Sequence, residues 1–185
     1  MILRCKENLE VIIEHHPHFE SLNKQILEDA SAFEFQRGLK NADGGESNVK
    51  AVKANACYAN FEEGKYLRKK VIYSKSLDLL GEWVLKIIKR QYNLQLVLLD
   101  SWVSRYFEND YTVSHSHGPI AFTSVYFVKR PKGSSPLVFT TSKKRIKAEE
   151  GNLLVFPGNL LHHVNKNRCD DRVVWVGNFA PHVVI

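Results

Sequence analysis

The second half of the chain is a series of short β-prone segments separated by turn residues, and this pattern restricts the fold more than any other feature. The first segment runs from Leu94 to Phe107 and the last from Arg172 to Phe179. The breaks between segments contain Glu-Asn-Asp, Pro-Lys-Gly-Ser-Ser-Pro and Cys-Asp-Asp, which favour turns. Short strands at this spacing are typical of a β-sandwich or barrel rather than a parallel sheet. The strands predicted in between are 111–117, 121–128, 137–141, 152–156 and 160–164.

The first half predicts a supporting layer with helices. Apolar residues recur at helical spacing from Phe19 to about Ala30 and again from Ser74 to Asn93, where Ser76 is a candidate N-cap. The second helix should lie across the outside of a sheet. Leu9 to Glu14 predicts an early strand, and the polar, glycine-bearing residues 36–50 predict a loop that is either a lid or disordered.

A chain of 185 residues is enough for one domain with a sizeable core. We therefore expect a single domain over 1–185, mainly β with N-terminal helices. Residues 1–93 would supply strand and helix support, and residues 94–185 a jelly-roll core.

Composition excludes several classes of partner. The formal charge of +6 favours anionic ligands, but no basic stripe interleaved with aromatic residues indicates a specific nucleic-acid partner. Apolar runs are far shorter than the ~20 residues of a membrane span, so we expect no membrane partner. The N-terminus lacks the apolar segment of a signal peptide, and the three cysteines are widely spaced without Cys-x-x-Cys. Both features favour a cytoplasmic protein with reduced thiols.

Four residues of the strand-rich half form a candidate metal-plus-anion site. His115 and His117 are two residues apart, so on a regular strand their imidazoles point to one face and can chelate one ion. A further histidine comes from the His162-His163 pair, of which only one can share that face. Arg172 follows, and a buried arginine requires an anion that suits its planar fork. The alternatives are histidines packed in the core and an arginine that is solvated or paired with a neighbouring aspartate.

A second histidine cluster lies near the N-terminus. His15, His16 and His18 fall in Glu-His-His-Pro-His, where Pro17 interrupts the run and suits the first turn of a helix. No companion motif follows, so we interpret this cluster as structural rather than metal-binding.

Order and spacing across residues 94–180 resemble the 2-oxoglutarate- and iron(II)-dependent oxygenases, in particular a branch found in bacteria and phages. The matching pieces are Trp102-Val-Ser, His115-Ser-His117, Thr123-Ser-Val-Tyr-Phe, Gly151-Asn-Leu-Leu-Val-Phe-Pro157, Leu161-His162, Arg172 and Gly-Asn178-Phe. The resemblance implies a double-stranded β-helix, the cupin-like jelly roll, and is compatible with a phage-encoded protein.

The resemblance also implies a function and a set of site residues. It implies a non-haem dioxygenase, a hydroxylase with prolyl-hydroxylase-like chemistry, that uses Fe(II), 2-oxoglutarate and dioxygen, with ascorbate as a stimulant. His115, His117 and His162 would hold the iron, with His162 preferred over His163 because it stands five residues after Pro157. The residues expected to bind the co-substrate are Arg172, Tyr106, Tyr126 and Asn178.

Two positions depart from the family pattern. His117 stands where the family has a carboxylate, and an all-imidazole site also suits zinc, copper and nickel. The nearby Glu108 and Asp110 precede the strand and are poor replacements. Val174 stands where relatives often have a serine two residues after the arginine.

Two other functions remain open. A cupin-type metalloprotein would use the same barrel without 2-oxoglutarate, although Ala121 and Phe122 stand where its glutamate is expected. A catalytically degenerate binding protein on the same fold is the second. A nucleic-acid demethylase is weaker, since Val-Val-Trp-Val follows Arg172. The substrate would be a small molecule or a peptide, contacted by segments 36–50 and 129–136, and the sequence does not determine the oligomeric state.

Overall fold

The computed structural model describes residues 2–4, 10–37, 47–54 and 73–181. All strand pairs in these ranges are antiparallel, as the short segments predicted. The helices are α1 (Phe19–Ser31) and α2 (Lys75–Tyr92). The strands are β1 (Ile2–Arg4), β2 (Glu10–His15), β3 (Lys50–Lys53), β4 (Leu96–Tyr106), β5 (Thr112–His115), β6 (Phe122–Lys129), β7 (Leu137–Phe139), β8 (Lys144–Ile146), β9 (Asn152–Pro157), β10 (His162–Val164) and β11 (Arg172–Pro181).

The strands form two sheets of unequal size. The larger sheet has the order β1-β2-β9-β6-β11-β4-β3, and the smaller has the order β5-β10-β7-β8. This arrangement confirms the predicted jelly roll with flanking helices. Three strands from the first half of the chain extend the larger sheet at both edges, which supports the proposal that residues 1–93 act as a support for residues 94–185.

Alternation along β11 separates two cores. Val173, Trp175 and Phe179 belong to a cluster that includes the buried faces of both helices. Val174 and Val176 belong to a second cluster, which includes residues of the smaller sheet. The larger sheet is therefore covered on both faces, with helices on one side and the smaller sheet on the other. This confirms that α2 packs on the outside of a sheet.

Three details differ from the sequence prediction. The N-cap of α2 is Ser74, whose hydroxyl accepts a hydrogen bond from the Leu77 amide, whereas Ser76 donates to Asp29. The segment predicted as a loop over 36–50 ends in strand β3, and its residues 38–46 lie outside the described ranges. Strand β8 was not predicted, because its Lys-Arg-Ile sequence is polar and short.

No helix within the described ranges is both long and apolar enough to span a membrane.

The buried side chain of Asn23 joins α1 to the larger sheet and generates a stability prediction. Its amide donates to the Val128 carbonyl at 2.8 Å and accepts from the Tyr126 hydroxyl at 2.8 Å. Asn23→Ala leaves both buried groups without these partners, so we expect the free energy of unfolding to fall by about 2–4 kcal/mol in urea titrations. The matched control Lys24→Ala, on the exposed face of the same helix, should change it by less than about 0.5 kcal/mol. Equal effects of the two variants would contradict this role.

Candidate metal centre

A cavity of about 450 Å³ is lined by residues of both sheets. The larger sheet contributes alternate residues of β4 and β11, together with Val125 of β6. The smaller sheet contributes β5, β7 and β10, and Ser47 and Val49 come from the segment before β3. The lining residues on β4 and β11 are Asp100, Trp102, Ser104, Tyr106, Arg172, Val174, Val176 and Asn178.

Three histidines meet at one side of this cavity. The ligand atoms of His115, His117 and His162 all lie within 4.8 Å of one another, and no other such group of three occurs in the described parts of the chain. The Nε2 atoms of His117 and His162 are 3.4 Å apart. Two nitrogens that bind one ion at right angles, each at about 2.1 Å, are roughly 3 Å apart. The trio is therefore close to the geometry of a shared metal site.

The route that brings these histidines together differs in part from the prediction. β5 pairs with β10 so that His115 is directly opposite His162. β5 ends at His115, so His117 does not reach the group by strand alternation. Instead its backbone amide donates to the Gly158 carbonyl at 2.8 Å, and its ring lies 5.6 Å from that of Trp102.

Backbone carbonyls orient two of the imidazoles. The Nδ1 of His115 is 2.9 Å from the Val113 carbonyl, and the Nδ1 of His162 is 2.9 Å from the Leu160 carbonyl. A carbonyl can only accept, so each Nδ1 carries the proton and each Nε2 presents its lone pair. The same local device, a carbonyl two residues earlier, thus prepares both rings as Nε2 ligands.

Burial favours the neutral form of His117 and His162. Burial, followed by the charge of His115, lowers the pKa of His117 from 6.5 to about 3. Burial is also the largest cause that lowers the pKa of His162 well below 6.5, and the charges of His115 and His117 add to it. Only neutral imidazole binds a metal, so burial keeps these two rings in the form that a metal requires.

Arg172 lies in the same cavity and has an unusual environment. Its side chain is 1% exposed, and neither Nε nor Nη1 has a hydrogen-bond partner among the described residues. The guanidinium carbon lies 4.4 Å from the centre of the Tyr106 ring, so an aromatic face covers part of the charge. Burial lowers the pKa of Arg172, because desolvation disfavours its charged form. A buried cation with unpaired donors is a site for an anion.

The other predicted co-substrate residues divide into two groups. Tyr106 lines the cavity beside Arg172, and its hydroxyl shares a 2.7 Å hydrogen bond with Thr112. Asn178 also lines the cavity, six residues along β11 from Arg172 and thus at the other end of the wall that β4 and β11 form. Tyr126 requires a correction: it belongs to the helix-side core, and its hydroxyl donates to Asn23. Strand alternation explains this, because its neighbour Val125 faces the cavity instead.

Other expectations have mixed outcomes. His163 touches the cavity rim, and its Nδ1 bonds to the Thr140 hydroxyl at 2.9 Å rather than joining the trio. Asp110 Oδ1 accepts a hydrogen bond from Arg37 Nη1 at 2.8 Å, and Glu108 is exposed. Segment 129–136 does not line the cavity and is hydrogen-bonded to residues 167–169, so its substrate role stays a prediction. For 36–50, only its C-terminal end reaches the cavity within the described ranges.

Sequence reasoning missed Asp100, Ser104 and the cavity-facing role of Trp102. A signal was present, since Asp100, Trp102, Ser104 and Tyr106 alternate along one strand. Alternation with a period of two shows that these four side chains share one face of β4. It does not show whether that face points towards the histidines, which depends on how β4 pairs with β11.

No protein-family model and no curated protein sequence matches this chain. Solved structures do. The viral collagen prolyl hydroxylase of Paramecium Bursaria Chlorella virus-1, in its 2-oxoglutarate complex, has a TM-score of 0.68 at 13% identity, over 94% of this chain and 96% of that one. A Pseudomonas putida prolyl-4-hydroxylase has a TM-score of 0.65 at 11% identity, over 94% and 93%. HygX from Streptomyces hygroscopicus, with nickel and 2-oxoglutarate bound, has a TM-score of 0.66 at 8% identity, over 92% and 82%.

These likenesses define the fold as the jelly roll found in 2-oxoglutarate- and iron(II)-dependent oxygenases of known structure. In the described residues, the group that could hold a metal ion consists of three histidines, without the carboxylate that the family resemblance implies.

The depressed histidine pKa values predict how stability of the metal-free protein depends on pH. Burial lowers the pKa of His117 to about 3 in the folded protein, against about 6.5 in the unfolded chain, so between these values the unfolded state binds more protons. His117 therefore has no effect on the pH dependence of stability above about pH 6.5, and it destabilises the folded state increasingly as pH falls from 6.5 towards 3. We expect the free energy of unfolding, measured in urea with a chelator present, to fall from about pH 7 to about pH 5.

The variant His117→Gln should reduce this pH dependence, whereas Ser116→Ala, a neighbour that does not titrate, should leave it unchanged. An identical dependence in the His117 variant would show that this side chain is not held neutral in the folded protein.

Proposed function

We propose that this protein is a non-haem Fe(II)- and 2-oxoglutarate-dependent dioxygenase that hydroxylates a C–H bond. The observation that supports this most strongly is the buried guanidinium of Arg172, in the cavity that also holds the three histidines, with two nitrogens that have no hydrogen-bond partner among the described residues. A cupin-type metal site gives such a cation no role. The dianionic co-substrate, by contrast, has one end that chelates a metal and another that matches the arginine fork.

Each residue has a definite task in this proposal. His115, His117 and His162 hold the iron through their imidazole nitrogens. Iron(II) supplies the chemistry when bound, because it activates dioxygen at the expense of 2-oxoglutarate, which is converted to succinate and carbon dioxide. Arg172 binds the distal carboxylate, and Tyr106 covers the guanidinium with its ring.

The remaining walls exclude water and limit where the co-substrate can lie. Val125, Leu137, Val164, Val174 and Val176 line the cavity with apolar surface. A low-dielectric lining strengthens the attraction between Arg172 and a carboxylate. Val174 occupies the position of the family's frequent serine, so this wall offers no hydroxyl there and the arginine must provide the specificity.

Three neutral ligands also change the charge of the site. Replacing a carboxylate by His117 makes the group of protein ligands one unit more positive, which favours a dianionic co-substrate. The same change leaves the ligand set suited to several divalent metals. Iron is proposed because the buried arginine requires the oxo-acid co-substrate.

The substrate is proposed to be a peptide or a small molecule, with a prolyl side chain as one candidate. Among proteins of similar fold, one prolyl hydroxylase is in complex with a hypoxia inducible factor peptide and HygX is bound to hygromycin B. Both substrate classes are thus compatible with this jelly roll. We place the activity in the cytoplasm, where the half-buried thiol of Cys169 would remain reduced.

Replacing Arg172 tests the co-substrate assignment. Arg172→Met removes the charged fork and keeps much of the volume, so 2-oxoglutarate affinity should fall by roughly 10- to 100-fold, the worth of a charge-assisted pair. Titration of the iron-loaded protein without oxygen gives this affinity. Metal content should stay unchanged, and the exposed control Arg145→Met should behave as wild type. Unchanged co-substrate affinity in the Arg172 variant would refute the assignment.

The adjacent histidines provide a matched pair for the metal assignment. His162→Ala should lose bound iron and succinate release, because it removes one of three ligands. His163→Ala should retain iron, because its Nδ1 bonds to Thr140 and it lies outside the trio. Metal analysis after dialysis, with succinate release as the second measurement, separates the two. The opposite result would make His163 the ligand, and an iron-free wild type would favour a degenerate binding protein.

A further inference from the structure

We propose that the hydroxyl of Thr112 donates a hydrogen bond to the distal carboxylate of the co-substrate, and that it thereby makes the site selective for a dicarboxylic oxo acid. This inference rests on the proposed function and deepens it, because it adds a second residue to the anion site of Arg172. Tyr106 has a supporting part, as the residue that positions the Thr112 hydroxyl.

The smaller sheet presents two rows of side chains to the cavity. Antiparallel pairing places His115 opposite His162 in one row, and Thr112 opposite Val164 in the other. Val164 is also opposite Leu137, and these three residues of the second row all line the cavity. The two rows are two residues apart along β10, which corresponds to about 7 Å. One row thus holds the metal ligands, and the other is apolar except for Thr112.

The row that contains Thr112 is the one that faces Arg172. The hydroxyl oxygen of Tyr106 on β4 lies 2.7 Å from Thr112 Oγ1, so the two sheets are joined at this point. The ring of the same tyrosine lies 4.4 Å from the guanidinium carbon of Arg172. Burial lowers the pKa of Arg172, and the two largest opposing effects, from charge and from hydrogen bonding, come from Tyr106. A ligand that extends from the histidine row to Arg172 therefore ends beside Thr112.

A carboxylate in this position accepts more hydrogen bonds than Arg172 alone can donate. Its two oxygens offer about four lone-pair sites. Arg172 donates from the larger sheet, where Nε and Nη1 have no partner among the described residues. On the side of the smaller sheet, Val164 and Leu137 have no polar hydrogen. The half-buried Thr112 is the member of that row that can donate to the second side of the carboxylate.

The pair of hydroxyls leaves one proton available for a ligand. Each hydroxyl carries one proton, and the bond between Tyr106 and Thr112 uses one of the two. A phenol is a stronger acid than an aliphatic alcohol and hence the better donor, so Tyr106 donates and Thr112 accepts. The proton of Thr112 is then free, and none of the described residues accepts it. Accepting a bond from Tyr106 also polarises the Thr112 hydroxyl, which strengthens the bond that it donates.

The experiment compares two oxo acids that differ only at the distal end. The protein is loaded with Fe(II) in the absence of oxygen and titrated with 2-oxoglutarate, or with 2-oxopentanoate, in which a methyl group replaces the distal carboxylate. Chelation of the iron by either oxo acid gives a charge-transfer absorption band, from which a dissociation constant is obtained. We expect the wild type to bind 2-oxoglutarate at least about tenfold more tightly than 2-oxopentanoate, because only the former has a charge-assisted contact.

The variants locate the hydrogen bond. Thr112→Val keeps the shape and removes the hydroxyl, so the affinity for 2-oxoglutarate should fall by about tenfold while that for 2-oxopentanoate stays unchanged. Thr112→Ser retains the hydroxyl and should bind both oxo acids as the wild type does. The matched control Thr140→Val removes the hydroxyl of another hydrogen-bonded threonine, which does not line the cavity, and should also behave as wild type.

Tyr106→Phe tests the positioning part. It keeps the ring over Arg172 and removes only the hydroxyl that orients Thr112. Because Thr112 still has its own proton, we expect the affinity for 2-oxoglutarate to fall by less than in Thr112→Val, with that for 2-oxopentanoate unchanged. A larger loss than in Thr112→Val would make the tyrosine the donor to the carboxylate and would overturn the inference.

The other failures are distinct. If the wild type does not bind 2-oxoglutarate, or binds the two oxo acids equally well, the proposed function is overturned and this inference with it. If Thr112→Val binds 2-oxoglutarate as the wild type does, only the present inference is overturned. Equal weakening of both oxo acids also overturns it, because the effect would then arise at the metal or in the fold. If Thr112→Val does not fold, Thr112→Ala is measured in its place with the same expectation.

Discussion

The buried guanidinium of Arg172 is the constraint on which the arrangement of this site depends. Taking a charge out of water without a matching partner costs several kcal/mol, and the protein compensates only in part. The ring of Tyr106 covers one face, while two nitrogens remain without a partner among the described residues. A ligand that forms hydrogen bonds with these two nitrogens would offset the free energy lost when the charge was buried. The co-substrate carboxylate is the group that would do so.

The strand that carries this arginine is also the strand that organises the fold. β11 lies between β4 and β6 in the larger sheet. Just before it, Asp171 adopts a left-handed backbone conformation with φ of 64° and accepts hydrogen bonds from Arg105 on β4 and Lys129 on β6. Three strands are thereby tied together one residue before the arginine. Its side chain is positioned from both neighbours, which a loop residue could not achieve.

The two sheets divide the work of the site. The smaller sheet and the turn after β5 carry the three histidines, whereas the larger sheet carries Arg172. The proposed metal site thus lies on one wall of the cavity and the proposed anion site on the other. His117 stands where the family that the sequence resembles has a carboxylate, so the first wall lacks that negative charge.

Much of this could be read from the sequence because its signals are local. Strand periodicity and turn residues predicted a β-sandwich or barrel. The family resemblance, carried in part by the spacing of His115, His162 and Arg172, implied the jelly roll and most of the residues that meet in its cavity. Residues 1–93 were harder, since the sequence of β3 was hidden in a polar segment and Ser76 looked as good a cap as Ser74. Tyr126 was misplaced because a run of buried residues on a strand covered on both faces carries no alternation to show which side each residue faces. Asp100 went unnoticed for a related reason: its partner Asn178 is 78 residues away. Local pattern thus determines which residues form strands and which can bind a metal, whereas the pairing of distant strands determines which of them share a cavity.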